Sequence, residues 1–235
     1  MSALRDELVA RLEAVADPGR ASGQQDYMKS EMPFHGVAMP DVRRITASLA
    51  RDFPFADRAN WEATVLEVWR HATHREQMYV ATQLAAHRPY RRWLDGGCLP
   101  MIEEMIVTGA WWDHVDALAS DHMGAMLASD PDTVHPVMWQ WATDDLERDG
   151  AMWRRRTSII CQLSFKDDTD LDLLFHAIEA SMDSKEFFLR KAIGWALRQY
   201  ARTDADEVIA FVDRFEDRLS GLSKREALKH LHSGK

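Results

Sequence analysis

From Ser2 onward, apolar side chains recur at three- and four-residue spacing, and no stretch alternates apolar with polar residues as a half-buried strand would. A chain patterned this way folds as packed helices joined by short connections. The spacing predicts helices over Ser2–Ala16, ending at Asp17-Pro18-Gly19, and over Gln24–Glu31, followed by an irregular Met32–Val37. A further helix starts at Pro40, where proline suits a first turn. Asn60 caps Trp61–Thr73, Arg75–His87 follows, and Gly96-Gly97 breaks the chain before Leu99–Thr108 and Ala110–Leu118. Trp139 and Trp141 follow Asp130-Pro131, an N-cap with proline at the first helical position, and are read as helix packing. Then come Met152–Phe165, Leu171–Met182, and Lys185–Arg202 capped by Asp183 or Ser184. Asp204 with Glu207 and Ser223 with Glu226 both read as capping boxes.

The result is all-α, with helix pairs recurring at roughly 35 to 45 residues, a length compatible with HEAT-like units stacked into a solenoid with a concave binding face. Periodicity leaves a compact irregular bundle open. At 235 residues the chain buries enough surface for one large domain or two small ones, and it is read as one domain over 1–235. Cys98 and Cys161 are too few for a disulfide framework or a four-cysteine metal site, so a reducing cytoplasm is expected. No long apolar run occurs and Met1–Leu12 is charged, so neither a membrane span nor a secretory leader is expected. His71 and His74 lack an assured third ligand, and there is no glycine-rich phosphate loop or nucleophile elbow, so no metal or cofactor is expected.

The net charge of −9 weighs against a polyanionic partner. Its distribution does not. Residues 1–150 carry 14 Lys and Arg against 24 Asp and Glu, whereas residues 151–235 carry 15 against 14, leaving the last third free to form a basic surface.

The stretch Ala110–Leu118 holds two adjacent indoles followed by two carboxylates. On a wheel of about 100° per residue, Val115, Leu118, Ala119, His122 and Trp111 form the core stripe. Trp112 and Asp116, at i and i+4, share its flank, and Asp113 falls nearly opposite. Asp116 is therefore the carboxylate expected to be desolvated beside an aromatic wall, either for chemistry or simply as a capping or salt-bridging acid.

The same construction puts Trp195 on the polar face of its helix with Lys191, Arg198 and Arg202, where it either meets a neighbouring helix or joins cations that hold phosphates. Arg156 falls inside the apolar stripe of Trp153, Ile159, Ile160 and Leu163, while Arg154 and Arg155 point away. A guanidinium aimed into an interface needs an anion: a structural acid, Asp116, or a bound phosphate. Finally, Tyr27 to Val37 mixes aromatic and basic residues across a helix end and a Pro/Gly loop, read either as a ligand contact or as a loop stapled to the core by Phe34.

Several motifs occur in one order along the chain: Tyr27-Met28-Lys29 with Pro33-Phe34-x-Gly36, Trp111-Trp112-Asp113-x-Val115-Asp116, Trp153-x-x-Arg156, Phe187-Phe188-x-x-Lys191 through Trp195 to Arg198, and Leu222-Ser223-Lys224-Arg225-Glu226-Ala227. Together they resemble the AlkD-type alkylpurine DNA glycosylases. The resemblance implies a HEAT-like solenoid that holds duplex DNA in its concave face and releases N3- or N7-alkylated purines without flipping the lesion into a closed pocket; a solenoid that binds DNA needs no partner subunit, so a monomer is expected. It also implies site roles: Asp116 as the catalytic carboxylate, Trp112 and Trp195 lining the lesion's deoxyribose, Arg156 near the DNA backbone there, Tyr27 as an aromatic contact on the other side, and Phe187 and Phe188 as a neighbouring apolar pair. Lys191 and Arg198 are expected to hold DNA phosphates. Two other readings remain: a non-catalytic HEAT-like binder of damaged or branched DNA, and a protein-binding helical scaffold.

Overall fold

The computed structural model describes residues 2–231; Met1 and residues 232–235, the ends of the expected domain, lie outside them. The described residues contain helices and no strand, as the spacing predicts. They divide into two compact units, residues 1–94 and 95–235.

The first unit holds α1 (Ala3–Glu13), α2 (Pro18–Met28), α3 (Met39–Asp52), α4 (Arg58–Arg70) and α5 (Arg75–Ala85). Helix α3 packs on α1 and α5, and α4 on α5. Trp61 is fully buried between them and satisfies its indole by donating to the Leu84 carbonyl at 3.2 Å. Two boundaries differ from expectation for one reason, a stronger aspartate cap nearby. Pro18-Gly19 opens α2 rather than ending α1, because the Asp17 carboxylate accepts from the Arg20 N–H and proline fits the first turn. Asp57, not Asn60, caps α4 by accepting from the Asn60 N–H. The Pro33–Val37 loop is tied down by Glu76, a fully buried carboxylate that accepts from the N–H groups of His35, Gly36 and Val37 at 2.9–3.0 Å. Gly36 sits at φ +82°, and a Cβ there would lie 2.0 Å from the Asp17 carbonyl oxygen, so the loop has no room for a side chain.

The second unit runs α6 (Leu99–Gly109), α7 (Trp112–Ala117), a π-helical turn Leu118–Met123, α8 (Gly124–Ser129), α9 (Pro131–Ala142), α10 (Ala151–Ile160), α11 (Leu171–Ser181), α12 (Phe187–Tyr200), α13 (Ala205–Arg214) and α14 (Gly221–Ala227). Helices α10, α12 and α14 pack in succession, and α9 packs on α11 beside them. This stacking of alternate helices is that of a helical-repeat solenoid. Ile159, Ile160, Leu189, Ile193 and Leu197 fill the space between α10 and α12.

Asp130 precedes α9 as expected, but its carboxylate accepts from the Gly96 N–H at 3.2 Å instead of capping. Asp204 caps α13 through the Glu207 N–H as predicted. Helix α12 begins after Glu186, later than the expected Asp183 or Ser184 cap, and α14 is capped by Ser220 rather than Ser223. Trp141 is buried, but Trp139 is not core: it is 40% exposed and stacks on His176 at 3.8 Å with rings 4° from parallel. Arg154 and Arg155 point away from the α10 stripe, yet they are not solvated. Arg154 is buried against Glu103 and Asp144, and Arg155 donates to the Asp144 and Ala180 carbonyls.

Candidate active site

Helix α12 sets the site out. Leu189, Ala192, Ile193, Ala196 and Leu197 are buried, which turns Phe187, Lys191, Trp195 and Arg198 to the opposite face at three- and four-residue spacing. That face, with Phe188, lines an open cleft of about 280 Å³ whose other walls are Trp112 and Asp116 from α7, Arg156 from α10 and Glu226 from α14. Every expected site residue except Tyr27 therefore meets at one place in the second unit. Tyr27 is 74% exposed on α2 of the first unit. Arg202, grouped with Trp195 by the wheel, lines a different pocket beside Tyr200 and Lys166, because α12 ends at Tyr200.

Trp111 departs from the core position the wheel gave it. It stands before α7 with extended backbone, where helical periodicity does not apply, and is half-buried, packing edge-on against Phe188 at 5.4 Å and against Trp153 at 6.5 Å. Trp112 is the first helical residue, so Trp112 and Asp116 do share one flank of α7. Directly after them the chain loosens into the π turn, where the Ser120 hydroxyl donates to the Asp116 carbonyl at 2.8 Å. Single π turns occur often where a side chain must be aimed at a site. Gly124 admits this turn against α10: a Cβ there would lie 2.5 Å from the Cys161 carbonyl oxygen.

Arg156 finds its anion in Asp116. Its Nε donates to Oδ1 at 2.8 Å and Nη2 to Oδ2 at 2.9 Å, a bidentate fork, and Nη1 donates to the Phe188 carbonyl at 2.6 Å. Burial raises the Asp116 pKa above the ordinary carboxylate value; Arg156 opposes that shift and Asp113 adds to it. Asp113 is half-buried rather than fully solvated, so the two acids of the motif feel one another.

Glu226 is the residue that sequence reasoning missed. The Ser-x-x-Glu spacing of Ser223 and Glu226 reads as a capping box, but Ser223 donates instead to the Arg190 carbonyl at 2.9 Å. Glu226 then enters the cleft, where Oε1 lies 3.0 Å from Lys191 Nζ and Oε2 accepts from Arg198 Nη1. Lys191, then Arg198, hold its pKa below the ordinary value.

A family model of DNA alkylation repair enzymes matches residues 8–231, nearly the whole chain. The chain belongs to the DNA alkylation repair enzyme family. Among solved structures it is similar to a predicted DNA alkylation repair enzyme from Enterococcus faecalis, with 28% identity and a TM-score of 0.78 over 93% of this chain and 98% of that one. Curated protein sequences give no match. Membership places the protein in DNA repair, with DNA as its substrate.

Proposed function

We propose that this protein is an alkylpurine DNA glycosylase of the AlkD type: a single domain over 1–235 that hydrolyses the N-glycosidic bond of N3- or N7-alkylated purines in duplex DNA without flipping the base. The observation that carries the reading is that the Asp116 carboxylate, gripped by Arg156, lines one open cleft together with Trp112, Trp195, Lys191 and Arg198.

Ordinary glycoside hydrolysis needs a second carboxyl group to protonate the leaving group. A purine alkylated at N3 or N7 is already cationic and departs neutral, so that requirement vanishes. Glu226, kept ionised by Lys191 and Arg198, is unsuited to be such an acid in any case. What the enzyme must supply is stabilisation of the oxocarbenium-like sugar and a placed water. Each Asp116 oxygen gives one lone-pair direction to Arg156 and keeps another for the sugar or the water. The indole faces add cation–π attraction to the developing charge. Lys191 and Arg198 hold flanking phosphates, Phe187 at 57% exposure forms an apolar rim, and Phe188 backs Arg156, whose guanidinium carbon lies 6.0 Å from its ring centroid. Tyr27 contacts DNA from the first unit. An open cleft suits a lesion that stays in the duplex, whereas base flipping calls for an enclosing pocket. The test is release of free 7-methylguanine or 3-methyladenine from methylated duplex DNA by the purified, monomeric cytoplasmic protein without added cofactor; an intact methylated duplex would contradict the reading.

A further inference from the structure

Glu226 has no part in the chemistry just described, yet it sits among the cations that chemistry needs. Lys191 and Arg198 lie seven residues apart on α12, two turns along one face, and their charged groups converge on one Glu226 carboxylate. The placement is built in. Helix α14 lies so close to α12 that a Cβ on Gly194 would meet the Glu226 Cβ at 2.5 Å, and Ser223 pins the helix through the Arg190 carbonyl. The backbone of Glu226 therefore cannot retreat, but its side chain is 19% exposed and can swing. With Asp116 and Arg156 cancelling, the cleft is left with two cations and one acid.

We propose that Glu226 is a built-in competitor for DNA phosphate, a specificity-determining residue whose carboxylate occupies the position between Lys191 and Arg198 that a phosphodiester takes, so that duplex DNA binds by exchange. The inference rests on the reading of the cleft as a DNA site. Two unopposed cations would hold any duplex, because phosphate contacts carry no sequence or lesion information. With the carboxylate interposed, ordinary duplex gains little from that exchange. Contacts available only at a labile, cationic nucleotide, those of Asp116 and the two indoles, must supply the difference.

The test is binding of unmodified duplex DNA by the full chain across a salt series. Glu226→Gln keeps the shape and removes the charge, and is expected to tighten binding about fivefold at low salt and to steepen the dependence of log K on log salt by about one unit, the mark of one more neutralised phosphate. Glu226→Ala is expected to do the same, and Glu226→Asp to keep the wild-type slope. Weaker binding or an unchanged slope in both neutral variants overturns the proposal. So does a Glu226→Asp protein that behaves like Glu226→Gln, or failure of both neutral variants to fold while Glu226→Asp folds. Base release by the wild-type protein, measured alongside, separates the two claims. Release with an unchanged Glu226→Gln slope sinks only the competitor, and tightened binding without release sinks only the glycosylase.

Discussion

One guanidinium, that of Arg156, holds both carboxylate oxygens of Asp116 at 2.8 and 2.9 Å and also the Phe188 carbonyl at 2.6 Å, so a single side chain ties α7, α10 and the start of α12 together. Removing it would strand a largely buried carboxylate, a loss of about 3 kcal/mol when a buried pair is broken from one side. Arg156→Ala is therefore expected to lower stability by that amount in urea denaturation and to abolish base release. Arg156→Lys should recover part of the stability and little of the activity, since an ammonium cannot make the fork. A Lys variant as active as the wild type would show that the fork does not position Asp116.

The pH dependence follows from burial. Asp116 acts as an anion, and desolvation raises its pKa above the ordinary value of about 3.9. Below the raised value the acid is neutral and the rate is lost; above it the rate is regained. The acid limb of the single-turnover rate of base release is expected above the range of an exposed carboxylate, and it should vanish in Asp116→Asn. A wild-type rate flat down to pH 4 would remove Asp116 from the mechanism.

Trp195 lies on the cleft face of α12 and only partly against the core, so its loss should cost activity more than stability. A desolvated cation–π contact contributes about 2 kcal/mol, or roughly thirtyfold in rate. Trp195→Ala is expected to slow base release by that factor while Trp195→Phe retains most of it. Equal losses in stability and rate would reassign the indole to packing.

Gly194 is expected to tolerate no side chain. Its Cβ would lie 2.5 Å from the Glu226 Cβ and 2.9 Å from the Ser223 carbonyl oxygen, so Gly194→Ala must push α14 off α12 at about 2 kcal/mol. Urea denaturation gives the cost, and a neutral effect would mean that α14 moves freely.

The site was readable to different depths. Trp112, Asp116, Arg156 and Trp195 stood out because each breaks or flanks a helical stripe, a departure visible in one sequence without any partner. Glu226 did not, because Ser223-x-x-Glu226 has the spacing of a capping box, and only the bond from Ser223 to the Arg190 carbonyl diverts it. Trp111 was misplaced because a wheel assumes a helix that begins one residue later. The π turn after Asp116 leaves no mark in the apolar spacing, and Gly124, which follows it with no room for a Cβ beside the Cys161 carbonyl, reads in the sequence as an ordinary helical glycine. Likewise, Pro18 and Asp57 show that an Asp cap decides a helix start against weaker punctuation nearby.

The most direct test is the single-turnover release of 7-methylguanine from methylated duplex DNA by the wild-type protein and by Asp116→Asn, the latter checked for folding because it weakens the Arg156 fork. Release by the wild type is expected, with a loss of at least about a hundredfold in the variant, the scale of one removed electrostatic group. A folded Asp116→Asn protein that releases the base at the wild-type rate would contradict it.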